Sequence, residues 1–460
     1  MDLTFLGAAR EVTGSCHLLR VGASAVALDF GTFQGRRGET HKKNQTIPFT
    51  ADELTAVVLS HAHIDHSGRL PLLARAGVDC PIYATPATRD LCALMLADSA
   101  HIMQKDAQHL AKQKRPYLPP LYDQDDVTQL MGRIISIPYE VPFEPAPGIR
   151  ATFRDAGHIL GSASVTLECS ESGTSRRLVF SGDIGRWGLP IIRDPQPPDG
   201  ADVVIMESTY GNRDHPPVAE LPDQLARIVR ETAARGGRVL IPAFAVGRTQ
   251  EILYDFHRLT RAHAIPAIPI VVDSPLAIAV TSVFASHPDA YDHQEELVAS
   301  VQDLFDYDQL EFARDTNASK ALNERRGPMV IIAASGMAES GRILHHLAHG
   351  ASDSRNTILI VGFQAEHTLG RRIVERQPIL KIFGDEIPLR ARVEILNGYS
   401  AHADRGELRR WLSAVRGKST KAPAVHLVHG EPAAQDALAH VLRADGYMVS
   451  APERGDRVAL

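Results

Sequence analysis

Apolar residues are distributed along this chain in two textures. In the first they come as short runs closed by turns. Val26-Ala27-Leu28 ends at Asp29, before the glycine turn Phe30-Gly31-Thr32-Phe33-Gln34-Gly35. Leu54-Thr55-Ala56-Val57-Val58-Leu59-Ser60 reads as a buried strand and runs directly into His61-Ala62-His63-Ile64-Asp65-His66, after which Ser67 to Ala76 reads as a helix. A helical region extends through Leu91 to Leu96 and on to about Gln113. Pro116, Pro119 and Pro120 break it, and a short helix follows near Asp125 to Gly132. Strand lengths return beyond Pro147, in Ala151 to His158, Arg177 to Asp183 and Asp202 to Glu207.

From about Gly211 helix-length and strand-length segments alternate. Leu221 to Ala234 and Val246 to Ala262 read as helices, and Arg238 to Ala243 and Ile268 to Asp273 as strands. Pro328 to Ala334 and Thr357 to Val361 are further buried strands, followed by helices from about Arg342 to His349 and Leu369 to Arg376. Alternating βα units predict a parallel sheet covered on both faces. The first texture then returns. Val393 to His402 and Ala424 to His429 read as strands ending in histidine, with a helix over Leu408 to Val415 between them. Residues 1–210 and 391–460 are therefore expected to form one unit, interrupted by residues 211–390 as a second. The fold class is α/β.

Composition narrows the function. The 460 residues are 44% hydrophobic and 23% charged, as in a globular protein, and no run approaches the length that spans a bilayer. Cys16, Cys80, Cys92 and Cys169 are scattered without a CxxC pair, which argues against a disulfide framework and thiolate metal sites and favours a reducing cytoplasm. A net charge of −6 gives no global signal for nucleic acid. Local clusters at Arg36-Arg37 with Lys42-Lys43, at Lys112, Lys114 and Arg115, and at Arg371-Arg372 read either as phosphate contacts or as solvated faces.

Imidazole and carboxylate are the ligands of hydrolytic metal sites. In an extended stretch His61 and His63 point the same way, whereas Asp65 and His66 follow the turn and face a second point. That pattern suggests two adjacent metals. His158, Asp183, Glu207, His402 and His429 each close a strand, as a site built on one rim of a sheet requires. Asp29 either orients a ligand histidine from behind or satisfies its own turn. The loop Ser335-Gly336-Met337-Ala338-Glu339-Ser340-Gly341 joins a strand to a helix and reads either as an anion site or as a small-residue turn. Arg248 is a candidate phosphate contact.

The combination His61-x-His63-x-Asp65-His66 with His158 and Asp183 resembles the metallo-β-lactamase fold. Glu207-Ser208-Thr209-Tyr210-Gly211, Ser400-Ala401-His402-Ala403-Asp404 and Val428-His429-Gly430-Glu431 are similar to the added motifs of its β-CASP branch of RNA-processing nucleases. The resemblance spans essentially the whole chain. It implies an αβ/βα sandwich with an inserted β-CASP domain, a parallel sheet flanked by helices, that covers the site like a lid. Two zinc ions are implied, with manganese as the other ion this donor set takes. His61, His63 and His158 would hold one ion, Asp65, His66 and His429 the second, and Asp183 would bridge them. Asp65, Glu207 and His402 are the catalytic candidates, and Asp29 supports from behind. Phosphate or RNA contacts fall to Arg248 and to Ser335, Gly336, Met337, Ser340 and Gly341.

The implied activity is a ribonuclease, endo- or 5'-exonucleolytic, hydrolysing single-stranded RNA by a two-metal-activated hydroxide. A membrane partner is not expected, and a homodimer is open. A DNA-directed nuclease, another metallo-hydrolase of the fold and a non-catalytic RNA-binding subunit are the rivals, and the intact ligand set opposes the last.

Overall fold

The computed structural model describes residues 1–35, 37–50, 52–112, 119–292 and 307–460. Of the basic clusters above, Arg36, Lys114 and Arg115 lie outside the described residues, as does Pro116. The chain divides into two compact units, one of residues 1–187, 194–214 and 402–460, the other of residues 188–193 and 215–401.

The first unit is a sandwich of two seven-stranded sheets. One runs, edge to edge, Arg457–Ala459, Asp2–Gly7, Cys16–Val21, Ser24–Leu28, Ala56–Val58, Ile82–Ala84 and Ile134–Ser136. The other runs Met448–Ser450, Ala424–Leu427, Val203–Met206, Thr174–Phe180, Ala163–Glu171, Ile149–Asp155 and Phe143–Ala146. Their facing sides share one core, with Leu3, Phe5, Leu19 and Val58 from the first meeting Phe153, Val165, Phe180 and Ile205 from the second. The outer face of the second sheet carries the helices Arg405–Arg416 and Pro432–Ala444. Leu408, Trp411, Leu412 and Leu438 are buried there against Val204, Val425 and Leu427, each contributing roughly 1.5–3 kcal/mol.

Strand direction explains where the chemistry collects. Ser24–Leu28 and Ala56–Val58 are parallel neighbours, as are Thr174–Phe180, Val203–Met206 and Ala424–Leu427. Ile149–Asp155 is two antiparallel steps from Thr174–Phe180 and so points the same way. Parallel strands end on the same side, and the residues just beyond these carboxyl ends are Asp29, His61, Asp183, Glu207, His429 and His158.

The second unit is a six-stranded sheet in the order Leu310–Phe312, Ile270–Val272, Met329–Ala333, Arg238–Pro242, Thr357–Ile360 and Arg392–Ile395. All its pairings are parallel. Separate apolar clusters cover its two faces, which is why its strands read as unbroken hydrophobic runs.

Three expectations need correction. The helix expected over Ser67 to Ala76 is shorter, Leu70–Arg75, and a separate short helix, Ile64–Ser67, falls within the histidine motif. Leu70–Arg75 starts around Pro71, whose missing N–H costs nothing in a first turn. The strand expected over Val393 to His402 stops at Ile395 and gives way to a 3₁₀ turn, Asn397–Tyr399. Its hydrogen bonds go to Thr357–Ile360, so it belongs to the second unit, which ends at Ala401 rather than at residue 390. No helix among the described residues is long and apolar enough to cross a membrane.

Candidate metal centre

Three groups of ligand-type side chains converge on the rim of the first unit. In the first, His61 Nε2 and His158 Nε2 each lie 3.1 Å from His63 Nδ1, and Asp183 Oδ2 lies 3.5 Å from both Nε2 atoms. In the second, His66 Nε2 and His429 Nε2 are 3.3 Å apart, with Asp65 Oδ2 at 3.5 Å from the latter. Asp183 Oδ2 is also 3.3 Å from His66 Nε2, so a single carboxylate oxygen borders both groups. The third group adds Glu207 and His402 to Asp183 and His429.

These spacings test whether a metal fits. Tetrahedral donors about 2.1 Å from a zinc ion stand about 3.4 Å apart, and the observed separations bracket that value. The protonation pattern fits as well. Burial drives His61 well below the ordinary histidine range and lowers His63 to about 4, so both offer lone pairs rather than protons. Burial alone would raise the Asp183 carboxyl, but His429, His66, His402 and His61 hold it well below the carboxylate range. The same balance lowers Asp65, chiefly through its bond with His429. Burial disfavours a charged His66, yet Asp183 and Asp29 on either side raise it well above its usual value. The anionic pocket around that ring also suits a bound cation.

Several of the rings are aimed from behind. His66 Nδ1 donates to Asp29 Oδ2 at 2.6 Å, which turns Nε2 toward the cluster. Asp29 also accepts from the Ser60 N–H at 2.8 Å and from the hydroxyls of Ser15 and Ser60, each at 3.0 Å. Ser60 Oγ in turn lies 3.0 Å from His61 Nδ1, so that ring too presents Nε2 forward. Thr209 Oγ1 sits 3.2 Å from His429 Nδ1. Beside the metal donors, Glu207 is fully buried and accepts from the Ile184 N–H at 2.7 Å. Its two oxygens lie 3.1 and 3.2 Å from His402 Nδ1. Burial works against a charged His402, but Glu207 and Asp183 outweigh it and raise the ring to about 9.

Comparison with known proteins finds three family models along the chain. A family model described as the metallo-beta-lactamase superfamily matches residues 9–215, one described as a Beta-Casp domain matches 249–373, and one described as a Zn-dependent metallo-hydrolase RNA specificity domain matches 386–452. A protein named Ribonuclease TTHA0252 from Thermus thermophilus is 40% identical over 461 residues, covering all of both chains. The chain belongs to the β-CASP branch of the metallo-β-lactamase superfamily. Transcription termination factor FttA from Pyrococcus abyssi is 32% identical over all of this chain and 71% of its own length; the same-named protein of Methanosarcina mazei is 30% identical over 93% and 67%. A crystal structure of a protein of unknown function from Enterococcus faecalis shares the fold at TM-score 0.56 and 13% identity, covering 100% of this chain and 99% of the other.

As a β-CASP protein the chain is a metal-dependent hydrolase by family, and the structure gathers His61, His63, Asp65, His66, His158, Asp183 and His429 into one donor set with Asp29, Glu207 and His402 beside it. Arg248 is a correction. It is 4% exposed and its guanidinium is paired with the equally buried Glu251, three residues along the same helix, so it does not face a phosphate. The loop after Met329–Ala333 leaves Ser335, Met337 and Ser340 half-buried and Gly341 exposed. Within it the Ala338 N–H donates to the Ser335 carbonyl, and Gly336 is packed under Phe244. Ser15, Ser60 and Thr209 are the functional neighbours that sequence reasoning missed. Ser60 and Thr209 had one signal, a hydroxyl residue next to, or within, a ligand motif; Ser15 had none.

Two glycines make this packing feasible. A Cβ on Gly31 would stand 1.6 Å from the Asp65 carbonyl oxygen, and one on Gly185 would stand 1.7 Å from that of Gly157. Backbone is pressed on backbone directly behind the ligands. Gly31→Ala is expected to cost about 3 kcal/mol, at the upper end of overpacking, and to lower metal content. Urea unfolding of the metal-loaded protein together with metal analysis checks both, and a variant as stable and as metal-rich as the parent refutes the close-packing argument.

Proposed function

We propose that this chain is a zinc-dependent ribonuclease that hydrolyses phosphodiester bonds of single-stranded RNA at a two-metal centre. The observation that carries the reading is the pair of donor groups joined at Asp183 Oδ2. Support for RNA comes from the similarity over both full lengths to a protein named a ribonuclease. His61, His63 and His158 would hold one ion, Asp65, His66 and His429 the other, with Asp183 between them. Two divalent cations so held supply water activation and charge neutralisation on the phosphate.

The remaining steps fall to the chain's own residues. His402, raised by Glu207 and Asp183 and with Nδ1 against Glu207, would offer its Nε2–H as the proton source for the leaving oxygen as the P–O bond breaks. Glu207 keeps the ring in that orientation. The hydroxyls of Ser335 and Ser340 in the second unit are offered as phosphate contacts. Four buried, unbridged cysteines suit a reducing, cytoplasmic setting.

The test incubates purified protein with end-labelled single-stranded RNA and matched DNA, beside a His63→Ala variant and a chelator control. RNA cleavage that vanishes in both controls is expected. DNA cut as fast as RNA would assign a DNA-directed nuclease instead, and absence of cleavage with no bound metal would overturn the two-metal reading.

A further inference from the structure

The helix Arg405–Arg416 turns Leu408, Trp411, Leu412 and Val415 into the core of the first unit. Its opposite stripe is basic. Gly406, Arg409, Arg410, Ser413 and Arg416 recur at helical spacing on it. With the following loop and the turn around Asp445 and Tyr447 they line a groove of about 670 Å³.

Four cations and one carboxylate line this groove. Asp445 is already engaged, accepting from Arg409 Nε at 2.9 Å and from its second nitrogen at 3.0 Å. Arg410 and Arg416 are held by rings instead, 4.4 Å over Trp187 and 5.6 Å over Tyr447. A guanidinium stacked on an aromatic face keeps an N–H edge for an acceptor in its own plane. Arg416 Nε makes a long bond of 3.4 Å to the Ser419 carbonyl. Among the described residues no carboxylate pairs with Arg410, Arg416 or Lys418. In a chain whose net charge is −6, such a concentration of cations is a local feature with its own partner chemistry.

The groove also has a defined starting point. The helix is capped by Asp404, two residues after His402, and Glu407 in its first turn accepts from the Trp187 N–H at 3.2 Å and pairs with Arg186 at 3.3 Å. The segment from Asp183 to Trp187 and this helix thus lead from the metal rim outward. At 1.5 Å per residue, Gly406 to Arg416 extends it by about 15 Å.

We propose that this groove holds the phosphate backbone of the substrate strand outside the scissile bond. The inference rests on the ribonuclease reading above. Its test compares the metal-loaded full chain with a triple variant, Arg410→Ala, Arg416→Ala and Lys418→Ala, on a long and a very short single-stranded RNA across a salt series. The variant is expected to lose about tenfold in kcat/KM on the long strand relative to the short one. The log–log salt slope on the long strand falls by about 2, at about 0.7 per phosphate contact. A charge-retaining pair, Arg410→Lys with Arg416→Lys, keeps most of the long-strand preference. A triple variant with unchanged preference and slope overturns the proposal and leaves the nuclease reading standing. A parent protein that cleaves neither strand removes the ribonuclease reading, and this proposal with it.

Discussion

Asp183→Asn is expected to lower turnover at least about a thousandfold, some 4 kcal/mol of barrier, and, on the proposed two-metal reading, to reduce bound metal from two ions per chain to one or fewer. Asparagine keeps the size and one oxygen but removes the charge. In the native arrangement Oδ2 lies within 3.5 Å of His61, His66 and His158, and Oδ1 lies 3.4 Å from His429 Nδ1. Four imidazoles thus border this one carboxylate, which is 2% exposed, and a fifth, His402, has Nδ1 4.0 Å from Oδ2. Removing one member of a buried charged cluster leaves the rest uncompensated, which is more costly than the pair itself is favourable. Metal analysis by mass spectrometry and single-turnover cleavage give the two readouts. A variant that keeps two ions and remains within tenfold of the parent would show that Asp183 does not join the groups.

His402→Ala is the second large effect, expected at about 10²–10⁴ in kcat on RNA, the range of a general acid. The size of the loss should depend on the leaving group. An alkoxide departs badly without a proton, whereas a nitrophenolate needs none. On an aryl phosphodiester such as bis(p-nitrophenyl) phosphate the penalty is therefore expected to shrink to within about tenfold. Glu207→Gln should follow the same pattern more mildly, because it loosens the ring held at 3.1 Å without removing it. Combining the two should cost little more than His402→Ala alone, since the residues act as one unit. An equal loss on both substrates would make His402 a phosphate ligand rather than a proton donor.

The rim was legible because most of its residues follow an apolar run. His158, Asp183 and Glu207 could be placed at strand ends from hydrophobic length alone, and parallel strand direction then put them on one side. The strand Arg392–Ile395 was not legible in the same way. Its residues would suit either unit, and only its pairing with Thr357–Ile360, more than thirty residues away, decides. Arg248 failed for a different reason. Charge is visible in a sequence but burial is not, and the helix carries it inward together with Glu251. The hairpin of Ile379–Ile382 and Asp385–Pro388 was hidden too: its turn, Phe383-Gly384, takes positive φ at both positions, and a phenylalanine does not announce the tight turn that joins twisted strands as an asparagine or aspartate would. Ser60 and Thr209 left almost none, because a hydroxyl beside a histidine says nothing about which ring nitrogen it meets.

The wide spread of the ligands along the chain also sets an order of events during synthesis. His61, His63, His158 and Asp183 all precede the inserted unit, whereas His402 and His429 follow it. On the ribosome the residues of the first donor group are all made long before the last of the second, and a nascent chain has neither His402 nor His429 until the insert has been made. On the ribonuclease reading, the chain therefore lacks the last residue of the second donor group until translation is nearly finished.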